Sequence, residues 1–246
     1  MELLESFTSH GGEQKVFSHY SKTNDCEMKF SIFLPELQNN ETVPIIWYLS
    51  GLTCSHSNVT EKGEYRKKAS ELGIAIICPD TSPRGEEVPD EKDNWQFGSG
   101  AGFYLDATEE PYNKNYNMYS YISNELPEIV MNHFPVNENQ QGIMGHSMGG
   151  HGALILALNK PRQYASCSAF APIVQPSSAD WSSLAFNKYL SKDKKGWRKY
   201  DATMLIEDGA KFPNLLIDQG TKDPFLEDGL RPHLLEEICK KNSGRT

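Results

Sequence analysis

The sequence predicts one α/β domain over residues 1–246, with a mostly parallel central sheet and helices on both faces. Two short and almost wholly apolar runs, residues 44–49 and 74–78, have the composition of strands that are covered on both sides. A charged amphipathic segment between them, residues 60–72, predicts a helix that ends at Gly73. A third apolar run, residues 142–144, leads almost directly into a segment with the composition of a buried helix. Strands alternating with helices in this way are typical of a parallel sheet.

The other elements follow from periodicity and from turn residues. Residues 14–19 and 28–34 predict a first pair of strands, and residues 38–40 a surface loop. Further along the chain, the pattern predicts a helix at 116–134, strands at 166–171 and 213–218, a small helical excursion over the site at 172–211 and a last helix at 231–241.

Residues 79–115 form a long irregular segment that is rich in Gly, Pro, Asp and Asn. Loops of this length within a compact domain are usually functional, so we interpret it as the lining of an acyl or leaving-group pocket. A well-packed surface loop is the alternative. The aromatic residues of the segment that bear on this choice are Trp95, Phe97, Phe103 and Tyr104.

Composition narrows the class of function. The net charge of −9 is unfavourable for a nucleic-acid surface. The acidic start lacks the apolar core of a signal peptide, and no apolar run reaches membrane-spanning length. Five scattered cysteines without a C-x-x-C pair indicate reduced thiols in the cytoplasm rather than a disulfide framework or a metal site.

The central motif is Gly145-His146-Ser147-Met148-Gly149, which matches G-x-S-x-G. Between a strand and a helix, this pattern predicts a nucleophile elbow, a strained turn that exposes the hydroxyl of Ser147. The flanking glycines keep side chains out of the turn, and the helix N-terminus presents N–H groups to a developing oxyanion. An ordinary structural turn is the alternative.

The order of elements also predicts an oxyanion hole. In an α/β-hydrolase, the loop after an early strand donates one backbone N–H and the residue after the nucleophile donates the other. Here these positions are Leu52, in the segment that follows residues 44–49, and Met148. The alternative for Leu52 is a plain glycine turn after Gly51.

A catalytic acid is expected in the loop after a strand beyond the elbow. Asp223 fits best, because a turn past the strand end lets its carboxylate bend back to orient an imidazole. Asp218 and Asp228 are the other candidates.

The histidine that should follow the acid is not evident. His233 comes too soon after Asp223 to have crossed a helix and returned along a strand, and it reads as a solvated helix residue. His146 is expected to point away from the site and His151 to pack in the helix core, which leaves His56 as the one stand-in to test. Compared with a complete fold of this class, the sequence predicts that the last strand and the last helix are lacking. These elements would take on the order of 25–35 residues.

Several long motifs in the right order closely resemble S-formylglutathione hydrolase, the esterase D family. The resemblance runs from about Gly11 to about Leu230. The motifs that carry it are Ser50-Gly51-Leu52-Thr53-Cys54, Pro79-Asp80-Thr81-Ser82-Pro83-Arg84-Gly85, the segment 98–108, the segment 145–154, Ser168-Ala169-Phe170-Ala171-Pro172, and Ile217-Asp218-Gln219-Gly220 followed by Asp223.

The resemblance implies an α/β-hydrolase fold and a cytoplasmic serine thioesterase that hydrolyses S-formylglutathione to glutathione and formate, the second half of glutathione-dependent formaldehyde detoxification. Activity on small esters and a homodimer are also implied, without metal or cofactor. Ser147 would be the nucleophile, Asp223 the acid, and Leu52 and Met148 the oxyanion donors. Lys or Arg near the cleft mouth would meet the glutathione carboxylates. The family's histidine lies in an Asp-His-Ser-Tyr segment that this sequence does not contain.

Two other functions are compatible with the same fold. A chain without the base would bind the glutathione thioester without turnover, and an acyltransferase would pass the acyl group to an alcohol instead of water.

Overall fold

Eight strands form one sheet in the computed structural model, which describes residues 1–37 and 41–243. The sheet order is β1-β2-β3-β5-β4-β6-β7-β8. The first three strands and β5 pair antiparallel, whereas β5, β4, β6, β7 and β8 pair parallel. The strands are β1 (Glu2–Ser9), β2 (Gly12–Ser21), β3 (Cys26–Leu34), β4 (Val43–Leu49), β5 (Ala75–Pro79), β6 (Val136–His146), β7 (Ser166–Phe170) and β8 (Leu215–Asp218).

Helices cover both faces of the sheet, as predicted. Alternate residues of the strands point to opposite sides, so Ile77 joins the main core while Ile76 joins a smaller cluster beneath the first two helices. The helices are α1 (His56–Lys62), α2 (Arg66–Leu72), α3 (Met118–Ser120), α4 (Leu126–His133), α5 (Met148–Asn159), α6 (Asp180–Tyr189), α7 (Ala202–Glu207) and α8 (Pro232–Ser243). A π-helical turn, Tyr121–Glu125, joins α3 to α4.

The predicted order of elements is confirmed, with two corrections. The helix expected at 60–72 is two helices, because Gly63 ends α1 and its N–H donates to the Val59 carbonyl at 2.7 Å. The first strand was not predicted, because residues 2–8 are all exposed and have no alternating apolar pattern. The loop expected at residues 38–40 lies outside the described residues.

The irregular segment contributes more residues to the core than to the wall of the cleft. Phe97, Phe103 and Tyr104 are buried in the main core, whereas the Trp95 side chain is exposed. The interpretation of this segment as a pocket wall therefore holds for Trp95 alone. Within the described residues, no helix has both the length and the apolar composition needed to cross a bilayer.

Candidate active site

Ser147 occupies a strained turn between β6 and α5. Its backbone has φ 58° and ψ −118°, a region that non-glycine residues rarely adopt. Three main-chain bonds hold the turn: the Ser147 N–H donates to the Phe170 carbonyl at 2.9 Å, and the Ser147 carbonyl accepts from the N–H groups of His151 at 3.0 Å and Ile173 at 3.4 Å. Strain that the surroundings enforce in this way is typical of functional sites. The geometry is that of a nucleophile elbow.

The glycines of the motif are required by close backbone contacts. A Cβ on Gly145 would lie 2.2 Å from the Gly149 carbonyl oxygen, and one on Gly149 would lie 1.9 Å from that of Leu49. Neither distance is compatible with a side chain. The prediction that these positions have no room for side chains is confirmed, and the reason is that the start of α5 packs directly on the end of β4.

A cleft of about 240 Å³ opens at Ser147, which is half-buried in its wall. The cleft lies where the loops after β4, β6 and β8 meet, at the carboxyl ends of parallel strands. Most of its wall is apolar or aromatic. The lining residues are Gly51, Leu52, Thr53, Cys54, Trp95, His146, Ser147, Trp181, Phe225 and Leu230.

The loop after β4 forms a tight turn against the elbow. The Cys54 N–H bonds the Gly51 carbonyl at 3.3 Å, and a Cβ on Gly51 would lie 3.3 Å from that of Ser147. Leu52 therefore lies in the cleft beside Ser147, and its N–H has no hydrogen-bond partner in the described part of the chain. Met148 is the first residue of α5, where N–H groups lack partners within the helix. Two backbone donors thus stand next to the serine.

Cys54 in the same wall is a half-buried thiol, and burial raises its pKa above the ordinary value. At neutral pH it is therefore held in the protonated form, which is a poor nucleophile.

Asp223 lies in the loop after β8, at the same edge of the sheet as the elbow. Its Oδ1 accepts from the Phe225 N–H at 2.9 Å, and its Oδ2 accepts from Gln219 Nε2 at 3.4 Å. Phe225 lines the cleft, whereas Asp223 is half-buried behind it. Asp218, the alternative acid, ends β8 and is exposed, as is Asp228.

None of the seven histidines, all of which lie in the described residues, forms a hydrogen bond with Ser147 Oγ. His233 is exposed on α8, as predicted. His56 faces a separate cleft beside Phe7 and Arg66, with its Nδ1 3.8 Å from Asp80 Oδ2, so it is not placed to replace the missing base.

The two histidines next to the elbow differ from each other. His151 packs in the core as predicted: its Nε2 lies 2.9 Å from the Phe103 carbonyl, and burial lowers its pKa to about 4. His146 does not point away from the site, as the sequence suggested, because it is exposed and lines the cleft.

Three aromatic side chains form the outer wall of the cleft. The Trp95 and Trp181 rings lie 6.0 Å apart, and Phe225 packs edge-on against Trp181 at 6.2 Å. Trp181 belongs to α6, within the excursion predicted to cover the site. Phe225 was not predicted, since only the folding of the loop after Asp223 brings it to the cleft.

No Lys or Arg is among the described residues that line the cleft, so the cation expected at its mouth is not in the wall itself. Arg231 directly follows the lining residue Leu230. Its Nη1 donates to Ser178 Oγ at 2.9 Å, and the guanidinium forms no ion pair with the described residues. Arg231 is thus a cation next to the cleft that has no ion-pair partner among the described residues.

The fold and the elbow define a serine hydrolase of the α/β-hydrolase class. The putative esterase family matches residues 21–245. An S-formylglutathione hydrolase from Agrobacterium tumefaciens is 59% identical, with a TM-score of 0.96 over 98% of this chain and 87% of that one. The chain belongs to this family of esterases.

More distant structures agree in fold alone. A fluorophosphonate-binding serine hydrolase from Staphylococcus aureus is 20% identical, with a TM-score of 0.72 over 94% of this chain and 87% of that one. A ferulic acid esterase from Anaeromyces mucronatus is 18% identical, with a TM-score of 0.63 over 98% and 81%.

Proposed function

We propose that the protein hydrolyses S-formylglutathione to glutathione and formate, with side activity on small carboxylic esters. The observation that carries the proposal is the strained Ser147 elbow at the cleft, in a chain 59% identical to an S-formylglutathione hydrolase. Identity at this level over nearly the whole chain supports a shared substrate, whereas the fold alone would not.

The proposed reaction is acyl transfer in two steps. Ser147 Oγ attacks the formyl carbon, its proton passes to a base, and the carbonyl oxygen becomes an oxyanion. The N–H groups of Leu52 and Met148 are proposed to stabilise that oxyanion. Collapse of the tetrahedral intermediate breaks the C–S bond, and the glutathione thiolate takes the proton from the base as it leaves. Water then gives a proton to the base and attacks the formyl ester. A second collapse breaks the ester C–O bond, the base returns its proton to Ser147 Oγ, and formic acid is released and ionises to formate.

Asp223 is proposed as the acid of the triad, which orients an imidazole and stabilises its charged form. Support comes from its place in the loop after β8, where hydrogen bonds from Phe225 and Gln219 fix the carboxylate. His146 is the imidazole that lines the cleft, although it forms no hydrogen bond with Ser147 Oγ.

Arg231 is proposed to bind a carboxylate of the glutathione moiety. An unpaired guanidinium suits this task, because it can form a bidentate, charge-assisted pair with a carboxylate. The aromatic wall of Trp95, Trp181 and Phe225 would then contact the apolar part of the leaving group.

A second candidate is binding of the same thioester with little turnover. It is favoured by the absence of an imidazole partner for Ser147 Oγ among the described residues. Without a base, an oxyanion hole and substrate binding alone accelerate acyl transfer by only about 10³–10⁴-fold over water.

Hydrolysis of S-formylglutathione by the purified chain, compared with Ser147→Ala, separates the two candidates. The proposal expects turnover that Ser147→Ala abolishes. Binding of the thioester without Ser147-dependent turnover would favour the second candidate.

A cytoplasmic homodimer completes the proposal, and it rests on the family resemblance. Light scattering coupled to size-exclusion chromatography is expected to give twice the mass of 27.7 kDa, and a monomer mass would refute the dimer.

A further inference from the structure

The carbonyl of Cys54, two residues past Leu52, accepts hydrogen bonds from two side chains. Thr81 Oγ1 donates to it at 2.5 Å and Arg84 Nη2 at 2.9 Å. Arg84 is itself held by Asp80, because its Nε lies 3.1 Å from each carboxylate oxygen. The Asp80 side chain is buried, so the guanidinium is fixed between a buried carboxylate and the main chain of the cleft wall.

The turn that these bonds hold is strained. Thr53, its third residue, has φ 66°, whereas Leu52 is not among the residues with positive φ. This combination is the type II pattern, which prefers glycine at the third position. A β-branched residue is especially unfavourable there. The Gly51 carbonyl, which accepts from the Cys54 N–H at 3.3 Å, belongs to the same planar peptide as the Leu52 N–H, so holding Cys54 in place also fixes the direction of that N–H.

Two further contacts fix the rest of the loop. The Thr53 N–H donates to the Gly100 carbonyl at 2.9 Å, and Tyr104 Oη donates to the Ser50 carbonyl at 2.8 Å. Gly100 approaches so closely that a Cβ there would lie 2.9 Å from Thr53 Cα. The strained turn is therefore stabilised at its start, middle and end, although it lies in a loop.

We propose that Arg84 is a positioning residue for the reaction, which holds the Leu52 N–H in the direction of the oxyanion. The inference rests on the proposed role of Leu52. Among the described residues, the Arg84 side chain forms hydrogen bonds with Asp80 and with the Cys54 carbonyl, so it reaches the cleft wall through the backbone. Its side chain is 40% exposed, so the core does not depend on it.

The test measures the affinity for a tetrahedral adduct and for a planar ligand in the same protein. Phenylboronic acid adds to the serine and places an oxygen at the oxyanion position, whereas benzamide has a similar shape and stays planar. Trp95 and Trp181 in the cleft wall provide a fluorescence readout that requires no turnover. Wild type should bind the boronic acid more tightly than benzamide.

Arg84→Met keeps the apolar stem and removes every donor. Its dissociation constant for phenylboronic acid should rise about tenfold, less than the loss of a whole oxyanion donor, while that for benzamide stays within about twofold. Arg84→Lys should recover part of the loss. Thr81→Val should weaken boronate binding in the same selective way. Arg198→Met is the matched control, because Arg198 is 38% exposed and pairs with Glu207 and Asp208 instead.

Equal weakening of both ligands in Arg84→Met, no weakening of either, or the same change in Arg198→Met would overturn the proposal. The proposal would also be overturned if wild type did not bind phenylboronic acid more tightly than benzamide. With 4-nitrophenyl acetate, kcat should fall in Arg84→Met while KM is kept. If wild type cleaves this ester but not S-formylglutathione, the proposed substrate is wrong. The comparison of Arg84→Met with wild type then still tests the positioning role of Arg84.

Discussion

At the scale of single residues, the site depends on backbone conformations that are individually unfavourable. Ser147 and Thr53 both have positive φ, and they lie on the two loops that meet at the cleft. Each such residue costs about 1–3 kcal/mol and persists only because neighbouring contacts enforce it. The tightest of these contacts are the close approaches of the backbone at the glycines on either side of Ser147.

Gly149→Ala is expected to disable the site by displacing the elbow. The new Cβ would start 1.9 Å from the Leu49 carbonyl oxygen, so the start of α5 must move away from β4. A shift of about 1 Å at a reacting group costs on the order of 100-fold in rate, which steady-state ester hydrolysis would detect. Gly196→Ala is the control, because nothing lies within 4 Å of its added Cβ. Equal activity of the two variants would contradict the packing argument.

His151 is expected to make the protein less stable in acid. Burial lowers its pKa to about 4 from 6.5, so the unfolded state binds a proton that the folded state does not between these values. The contribution of neutral His151 to the free energy of unfolding is fully present above pH 6.5. It falls by roughly 2–3 kcal/mol as the pH decreases toward 4.

His151→Gln keeps a donor for the Phe103 carbonyl and does not titrate. Urea unfolding at pH 7.5 and at pH 4.5 should therefore show a smaller loss of stability in the variant than in wild type. An identical loss in both proteins would show that His151 does not contribute.

Arg231→Gln tests the proposed contact with the glutathione carboxylate. KM for S-formylglutathione should rise about tenfold, in the range of a lost charge-assisted hydrogen bond, whereas KM for 4-nitrophenyl acetate should not change. A matched rise for both substrates would mean that Arg231 shapes the loop rather than binding the carboxylate.

At the scale of elements, α5 is the central support of the site. Every residue from Met148 to Leu158 is buried, and the helix packs against β4, β6 and β7. A helix that is apolar all round belongs in the interior, and here it fixes the position of the serine at its N-terminus.

Leu154→Ala is expected to destabilise the protein by about 2–5 kcal/mol, because it opens a cavity under a fully buried side chain. Leu72→Ala, in the exposed last turn of α2, should cost less than about 1 kcal/mol. The midpoints of denaturant unfolding curves measure the loss of stability in both variants. A small loss for Leu154→Ala would contradict the supporting role of α5.

Most elements could be predicted because their apolar runs are short, distinct and bounded by turn residues. The strand β1 could not, since its side chains are exposed and its pairing with β2 supplies the stability. The break between α1 and α2 was missed because the amphipathic pattern continues across Gly63. The serine, the glycines and the loop after β4 were predictable because the chemistry fixes their spacing.

The cleft wall was only partly predictable from the sequence. Trp95, Trp181 and Phe225 come from three separate segments, and only tertiary packing brings their rings within about 6 Å of one another. The elbow geometry was expected to direct His146 away from the site, whereas His146 is exposed and lines the cleft. The role of Arg84 could not be predicted, because it depends on a bond to a backbone carbonyl 30 residues earlier, although its other partner, Asp80, is only four residues away.

At the scale of the whole molecule, the one sheet of eight strands in the described residues brings the loops that build the site to a common edge. The main core runs from β2 to α8 without interruption. We therefore predict one domain and one cooperative unfolding transition. The site residues depend on this shared scaffold, because Leu52, Ser147 and Asp223 follow three different parallel strands.

The most direct test of the central claim is the rate of S-formylglutathione hydrolysis by wild type and by Ser147→Ala, in proteins that unfold cooperatively at similar temperatures. We expect wild type to release formate and glutathione in equal amounts, and Ser147→Ala to release neither above the uncatalysed rate. Equal rates for the two proteins would contradict the assignment of Ser147 as the nucleophile and, with it, the proposed function.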